Sequence, residues 1–246
     1  MNDTVTSGET GGSAPVLHRT VLDTLGREIT SGVHEPGSVL TLERLQQRFG
    51  VSRTVMREVM RLLESMNLVS SRRRVGIVVR PTDDWRVLDA RVIRWRLDGP
   101  GRSAQLRTLT ELRYAIEPLA AAGAARHATP TQSDHLIELA ARMRRLGDAG
   151  SLDAFLDADI AFHSLLLHAC RNEMFAALSG VVTEVLTGRT HHGLMPKPPR
   201  PVALDLHDTV ARAVRHGDAV AAETAMHQLV AEVREALSHP ERRHDP

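Results

Sequence analysis

The sequence contains few cysteines and few aromatic residues. Its 246 residues include one cysteine, Cys170, which excludes an internal disulfide framework and favours a reducing compartment. Aromatic residues make up 3% of the chain, so the core is expected to consist mainly of Leu, Val and Ala. No apolar run approaches the roughly 20 residues of a membrane span. We therefore expect a soluble cytoplasmic protein that does not interact with membranes.

The two ends of the chain lack the pattern of a folded segment. The first 14 residues are rich in Thr, Ser and Gly, without the basic start and apolar centre of a signal peptide. We predict a disordered tail over 1–14 and a second polar tail over 239–246. Between them, the predicted organisation is a compact N-terminal domain, a linker or linking helix, and a helical domain, at residues 15–80, 81–102 and 103–238.

Positive charge is concentrated in the N-terminal domain, although the whole chain carries a net charge of only +1. Residues 16–80 contain eleven arginines, no lysine and six acidic residues. This asymmetry is typical of a surface that binds nucleic acid. Because Lys197 is the only lysine of the chain, arginine is the usual cation of this protein, and charge alone does not decide the question.

The N-terminal domain has the element pattern of a winged helix-turn-helix. Apolar residues at helical spacing predict a helix over 16–31, which Gly32 is placed to end. Thr41 and Ser52 are predicted to cap two further short helices. Two strand-like segments follow, at residues 68–70 and 76–80. A helix-turn-helix of this kind places its second helix in the major groove of DNA.

Arginines recur along the second of these short helices and in the predicted hairpin. Arg53, Arg57 and Arg61 are four residues apart and therefore line one exposed helix face. The hairpin would bring one of its three consecutive arginines to the neighbouring DNA backbone or minor groove. The alternative interpretation is an ordinary solvated helix face. The predicted hairpin arginines are Arg72, Arg73 and Arg74.

The stretch PGSVLTLERLQQRFGVSRTVMREVMRLLESMNLV (36–69) resembles the DNA-binding head of the GntR family, including its G-V-S-R-x-x-x-R-E pattern. This resemblance implies that the start of the second helix contacts DNA and that a wing glycine follows. Where the family often has a DNA-contacting arginine in the first short helix, this sequence has Glu43 followed by Arg44, and either one faces the DNA. The predicted DNA-binding residues are Arg44, Ser52, Arg53, Thr54, Arg57, Arg73 and Gly76.

The rest of the chain shows helical spacing without the alternation of strands. Seven helices separated by Gly- or Pro-containing breaks form a bundle, whose interior can hold a metal or a ligand. The predicted fold class is mainly α, a winged helix-turn-helix followed by an all-α bundle of about six to seven helices. The predicted helices span 84–98, 103–127, 131–147, 151–169, 172–190, 201–216 and 218–237.

Polar side chains interrupt the apolar rows of three of these helices. Asp159 and His163 replace two members of a row otherwise formed by leucines and Cys170, while His207 and His227 lie in two further rows. Burying such groups without partners costs several kcal/mol. One carboxylate and three neutral imidazoles suit a divalent ion, zinc first, with Ni, Mn, Co or Fe as alternatives. The competing interpretation is that each is an ordinary core or surface residue, as we expect for His127, His168 and His216.

The spacing D-x-x-x-H, followed by histidines 44 and 64 residues later, is similar to the ligand-binding FCD domain of FadR-type GntR regulators. The resemblance implies that Asp159, His163, His207 and His227 are metal ligands. The stretch ELRYAIEPLAAAGAA (111–125) resembles the same domain, which implies that Arg113 clamps an effector carboxylate. Glu117, one turn further on, either orients Arg113 and so belongs to the effector site, or simply forms a surface pair with it. Residues 83–97 resemble the linker of sugar-acid regulators.

These patterns predict a homodimeric transcription factor that acts as a repressor and binds a palindromic operator in double-stranded DNA. Its effector is expected to be a small carboxylate, a sugar acid such as galactonate or gluconate, bound next to the metal. One alternative is the same regulator with a purely structural metal and a different effector. Another is a metal-dependent hydrolase or lyase. An enzyme is disfavoured because no further carboxylate or nucleophile has a spacing that would place it beside the metal as a base. We therefore do not expect an enzyme.

Overall fold

The computed structural model describes residues 14–238, so the predicted tails lie outside the described residues, apart from Ala14. The chain divides after Gly99 into two compact units, which are treated separately below. Within residues 14–238, no helix is both long enough and apolar enough to cross a membrane.

Between residues 14 and 99, the first unit contains four α-helices, a small sheet and a single 3-10 turn at Thr82–Asp84. Its helices are α1 (Ala14–Thr30), α2 (Leu42–Phe49), α3 (Arg53–Ser65) and α4 (Ala90–Asp98). Its strands are β1 (Val39–Leu40), β2 (Val69–Arg72) and β3 (Gly76–Val79), in the antiparallel order β1-β3-β2. The helix-turn-helix and its wing are thus present as predicted, and β1 adds a two-residue strand that is too short to predict from alternation.

Local capping explains where α2 and α3 begin. The Thr41 hydroxyl accepts a hydrogen bond from the Arg44 amide at 3.4 Å, and the Ser52 hydroxyl accepts one from the Val55 amide at 3.3 Å. These bonds satisfy amides that have no partner within their own helix. Gly50 ends α2 in the left-handed conformation, with φ of 62°, which a glycine adopts without strain. Both predicted caps are confirmed.

The segment predicted as a linker contains side chains that pack into the first unit. Trp85, Val92 and Trp95 belong to its buried core, and the Trp95 indole donates a hydrogen bond to Asp23 at 3.0 Å. The helix predicted over 84–98 begins only at Ala90, because Asp89 accepts bonds from the first amides of α4 and fixes its start there.

Helix α1 packs against α4 at a glycine, which leads to a stability prediction. A Cβ atom at Gly26 would overlap the indole ring of Trp95. We expect Gly26→Ala to destabilise the protein by about 1–3 kcal/mol, because a well-packed core does not accept an added methyl group without strain. Urea unfolding measures the change. Gly180→Ala is the control, since a Cβ at this other helical glycine meets open space; an equal loss in both variants would contradict the packing explanation.

The second unit is all α-helical over the residues that the structure describes. Its helices are α5 (Arg102–His127), α6 (Pro130–Asp148), α7 (Leu152–Ala169), α8 (Glu173–Ala176), α9 (Ser179–His191), α10 (Pro201–His216) and α11 (Ala219–Ser238). The single helix predicted over 172–190 is therefore divided into α8 and α9. Phe175 of α8 and Leu178, just before α9, pack against a buried cluster that includes Ile116 and Leu186.

Helices α5, α6, α7, α10 and α11 supply most of the core of this unit, which is rich in leucine, valine and alanine as predicted. Small residues let two segments approach closely at one point. A Cβ at Gly123 of α5 would lie 2.9 Å from the Cβ of Cys170, and the buried Cys170 thiol donates to the Leu167 carbonyl oxygen at 3.0 Å. Together with the first unit, this bundle confirms the predicted mainly-α fold class.

Candidate functional site

The predicted DNA-binding residues occupy the surface of the first unit. Arg53 and Arg57 are exposed on the first two turns of α3, and neither forms an ion pair with any residue between 14 and 238. Arg61, one turn further on, is instead paired with Glu58. The N-terminal half of α3 therefore presents two guanidinium groups that are available to an external anion.

The other predicted residues of this surface differ in exposure. Glu43 and Arg44 are both exposed, so the structure leaves open which of them faces DNA. Arg73 is exposed between β2 and β3, whereas Gly76 is partly buried with φ of 119° and lies against β1, where a Cβ would be 3.0 Å from the Leu40 carbonyl oxygen. Ser52 and Thr54 are exposed beside Arg53, and the Ser52 hydroxyl serves as the α3 cap.

Three of the four predicted metal ligands lie together inside the second unit. Asp159 and His163 extend from the same face of α7, and His207 extends from α10. The Asp159 Oδ1 atom lies 3.3 Å from the Nε2 atom of each histidine, and the potential ligand atoms are all within 4.8 Å of one another. All three side chains are buried, with 2–6% of their surface exposed.

The hydrogen bonding of this group favours a cation. The His207 Nδ1–H donates to the Ala203 carbonyl oxygen at 2.6 Å, which leaves the Nε2 lone pair directed away from its own helix backbone. Neither that Nε2 atom nor Asp159 Oδ1 has a hydrogen-bond partner, although both are buried. Two unpartnered acceptors at this distance are unfavourable alone, and a divalent ion with nitrogen and oxygen ligands would satisfy both.

A buried ion pair adjoins the three ligands. The Arg113 guanidinium donates to both Glu117 oxygens, at 2.6 and 3.1 Å, and both side chains are 2% exposed. Glu117 Oε2 also lies 3.1 Å from His163 Nδ1, and Arg113 Nη2 is 3.4 Å from His163 Nε2. Glu117 thus links α5 to α7 and holds the Arg113 guanidinium in a buried ion pair, so the pair does not lie on the surface.

The charged groups of this cluster shift one another's pKa values toward the ionised forms. Burial alone would raise the pKa of Glu117, but Arg113 and His163 hold it at about 2. Burial would lower the pKa of His163, but the neighbouring carboxylates of Glu117 and Asp159 raise it to about 8. The pKa of the Asp159 carboxyl lies well below its usual range, because two histidines outweigh the burial penalty. Both carboxyl groups are therefore ionised at neutral pH.

Two buried polar atoms beside this pair have no partner. One is Arg113 Nη1, the third donor group of the guanidinium that Glu117 holds, and the other is the hydroxyl of Thr110. Thr110 precedes Arg113 by about one helical turn and is therefore its neighbour on α5. Buried donors of this kind are normally satisfied, so both atoms are available to a polar group that enters this part of the cluster.

The structure does not bring His227, the predicted fourth ligand, into the group. Its side chain is exposed, and its ring packs 4.3 Å from the ring of Tyr114. Val230 of the row that contains His227 is buried, but Val220, Thr224 and His227 itself are exposed, so His227 lies on the outward side of α11. His127, His168 and His216 are exposed as expected.

One residue near the group was not identified from the sequence. Arg189 lies in the last turn of α9, where burial lowers its pKa to about 10 and the charges of Arg113, Asp159 and Glu117 modify that shift. A cation near a helix C-terminus stabilises the helix dipole, so its position in the sequence does not predict its burial. Only the packing of α9 on α5 and α7 buries it.

The arrangement suits ligand binding better than hydrolysis. Three protein ligands leave coordination positions open on a divalent ion. The additional carboxylate in contact with the cluster, Glu117, is held by Arg113 and has a pKa of about 2, which makes it a poor general base near neutral pH.

Comparison with known protein families assigns both units. Residues 17–79 match the model described as bacterial regulatory proteins, gntR family, and residues 108–232 match the FCD domain. The chain is 31% identical over 216 residues to the galactonate operon transcriptional repressor of Escherichia coli K12, covering 86% of this chain and 92% of that protein. It is 26% identical over 219 residues to the Uxu operon regulator of Haemophilus influenzae, covering 87% and 79%.

Solved structures share the fold at lower identity. Lar of Listeria monocytogenes, described as controlling the expression of the agr system, matches with a TM-score of 0.55 at 19% identity over 96% of this chain and all of that one. Escherichia coli McbR/YncC matches with a TM-score of 0.52 at 18% identity over 91% and 98%. At these identities the similarity concerns the fold alone.

Proposed function

Because this chain belongs to the GntR family of bacterial regulatory proteins and carries an FCD domain, we propose that it is a repressor controlled by a sugar acid that binds beside a divalent metal ion. Its general role as a DNA-binding transcriptional regulator, rather than an enzyme, follows from the family and from its relatives. The observation that carries the finer proposal is the buried group of Asp159, His163 and His207, whose unpartnered atoms adjoin Arg113.

In this proposal, Asp159, His163 and His207 hold the metal, with zinc as the first candidate and Ni, Mn, Co or Fe as alternatives. The bound ion supplies positive charge and open positions for effector oxygens. Arg113 is already oriented by Glu117, and its free Nη1 group donates to the effector carboxylate. Guanidinium groups suit carboxylates because their fork matches the two oxygens.

The effector is proposed to be a small sugar acid such as galactonate or gluconate. The galactonate operon repressor of Escherichia coli, at 31% identity, supports both this class of effector and a repressing role. The protein would act in the cytoplasm as a homodimer on a palindromic operator, with each winged head reading one half-site. The effector changes DNA binding only as far as its affinities for the DNA-bound and free states differ.

The direct test begins with the operator, which selection from a random DNA library identifies. Fluorescence anisotropy of the selected duplex is then measured against galactonate and gluconate, with metal-loaded protein. The proposal is supported if a sugar acid releases the duplex from the wild-type protein and does not release it from Arg113→Ala. Effector affinity that is unchanged in both Arg113→Ala and His207→Ala would instead assign the metal a purely structural role.

Removal of the metal should lower the thermal stability of the protein. An ion that binds the folded state but not the unfolded state adds stability by mass action, about 2.7 kcal/mol at a hundredfold excess over its Kd. We therefore expect a lower melting temperature after EDTA treatment, restored by zinc. Metal content is measured on the same sample, and an identical melting curve after confirmed removal would argue against an ordered metal site.

A further inference from the structure

The guanidinium of Arg113 uses one of its two edges to hold Glu117. Its N–H bonds lie in one plane and form a fork along the Nε–Nη2 edge and another along the Nη1–Nη2 edge. The first fork is filled, because Nε donates to Glu117 Oε1 at 2.6 Å and Nη2 donates to Oε2 at 3.1 Å. A second carboxylate therefore has to bind along the Nη1–Nη2 edge.

One nitrogen of this second fork faces His163. Arg113 Nη2 lies 3.4 Å from His163 Nε2, and both side chains are 2% exposed. A guanidinium has donors only, so in this hydrogen bond Nη2 donates and the Nε2 lone pair accepts. The other nitrogen, Nη1, is buried without a partner. The second fork thus has one free arm and one arm directed at an imidazole.

The same Nε2 atom is the nitrogen that the proposed metal site needs. It lies 3.3 Å from Asp159 Oδ1, as does the Nε2 atom of His207, whereas His163 Nδ1 lies beside Glu117 at 3.1 Å from Oε2. An imidazole nitrogen has a single lone pair, so Nε2 cannot accept a hydrogen bond from Arg113 and coordinate an ion at the same time. The Arg113–His163 hydrogen bond and the metal therefore exclude each other.

We propose that Arg113 is a metal-controlled clamp for the effector. While His163 Nε2 accepts from Nη2, Arg113 offers the effector carboxylate only Nη1. Once Nε2 coordinates the metal, Nη2 is released and both arms of the fork bind the carboxylate. This regulation rests on the proposed function, in which the metal and Arg113 belong to one effector site. It acts in addition to any bond between the ion and the effector, since it changes the donors of Arg113 itself.

The first experiment measures competition for His163 Nε2. Chelator competition gives the zinc affinity of the full-length wild type and of Arg113→Lys, at a pH above the His163 pKa of about 8, where protons do not compete for the lone pair. Lysine keeps the positive charge but has no fork, so we expect zinc affinity to rise about 2- to 10-fold, the worth of one hydrogen bond. Arg142→Gln, an exposed arginine of α6, is the control and should leave zinc affinity unchanged.

The second experiment frees Arg113 without a metal. His163→Leu removes the acceptor of Nη2, whereas the matched control, His207→Ala, removes another metal ligand and keeps the Arg113–His163 contact. Isothermal titration calorimetry measures galactonate binding to both variants and to the wild type after EDTA treatment, at the same pH. We expect His163→Leu to bind galactonate about tenfold more tightly than the other two, because a second charge-assisted hydrogen bond forms. Melting temperatures verify folding, and His163→Met replaces His163→Leu if the latter does not fold.

The outcomes separate this inference from the function on which it rests. Zinc affinity that does not rise in Arg113→Lys, or equal galactonate affinity in EDTA-treated His163→Leu and His207→Ala, would overturn the metal-controlled clamp. If galactonate then still releases DNA from the zinc-loaded wild type, the proposed function stands without it. A wild type that binds no zinc would reject the metal site and the clamp together. If galactonate binds none of the proteins, even with zinc, the sugar-acid effector is rejected and the zinc competition alone decides whether Arg113 and the metal share Nε2.

Discussion

Replacement of Arg53 or Arg57 with alanine is expected to weaken binding to the selected operator by about 1–3 kcal/mol for each residue, roughly 5- to 150-fold in Kd. Both side chains are exposed at the N-terminal end of α3, the part of a recognition helix that reaches base edges and phosphates. Neither has an ion-pair partner between residues 14 and 238 that would hold it away from DNA. Fluorescence anisotropy with a labelled duplex measures the change.

Arg61→Ala is the control for this prediction. Arg61 has the same side chain on the same helix face but is paired with Glu58 and lies further from the helix start, so its loss should have a smaller effect. The salt dependence of the binding constant shows whether the lost contact is to a phosphate or to a base. Removal of one phosphate contact lowers the slope of log K against log salt concentration by about one. Wild-type affinity in both Arg53→Ala and Arg57→Ala would place the DNA contact on another surface.

His207→Ala is expected to lower zinc affinity by about 100-fold or more, because the loss of a residue that only supports a metal ligand already reduces affinity 10- to 100-fold. His207 is the one ligand that α10 contributes, and its Nε2 atom is left unpartnered by the bond from Nδ1 to Ala203. Competition with a chromogenic chelator measures the zinc affinity of the full-length protein.

His227→Ala distinguishes a three-ligand site from the four-ligand site that the sequence predicts. Because the His227 ring is exposed against Tyr114, we expect zinc affinity to remain at the wild-type value. A loss as large as that of His207→Ala would show that α11 turns this imidazole toward the ion when metal binds. Circular dichroism spectra of both variants establish that the helical content is retained.

Features that depend on neighbouring residues in the sequence were predictable. The caps at Thr41 and Ser52 and the end of α2 at Gly50 are local events, which side-chain chemistry and backbone freedom determine within one turn. The inward-facing pair of Asp159 and His163 was equally predictable from the sequence, because residues four apart share a helix face and the surrounding row is apolar.

Features that depend on how helices pack were not predictable to the same degree. The row that contains His227 combines Val230, which is buried, with Val220, which is 75% exposed, so apolar spacing alone did not identify the side of α11 that faces the core. The burial of Arg189 depends on the packing of α9 on α5 and α7, and no local pattern indicates it. Helix α4 begins at Ala90 because Asp89 caps it there. The helical spacing continues back to residue 84, so spacing alone predicted a helix that begins too early.

The packing of Cys170 has a practical consequence for labelling. Its sulfur is the only thiol of the chain, is buried against Gly123, and donates to a backbone carbonyl, so it is expected to react slowly with maleimides. A cysteine introduced at an exposed wing position such as Ser71 would then be the single fast-reacting site. A fluorophore attached there would report movement of the wing without prior removal of the native thiol.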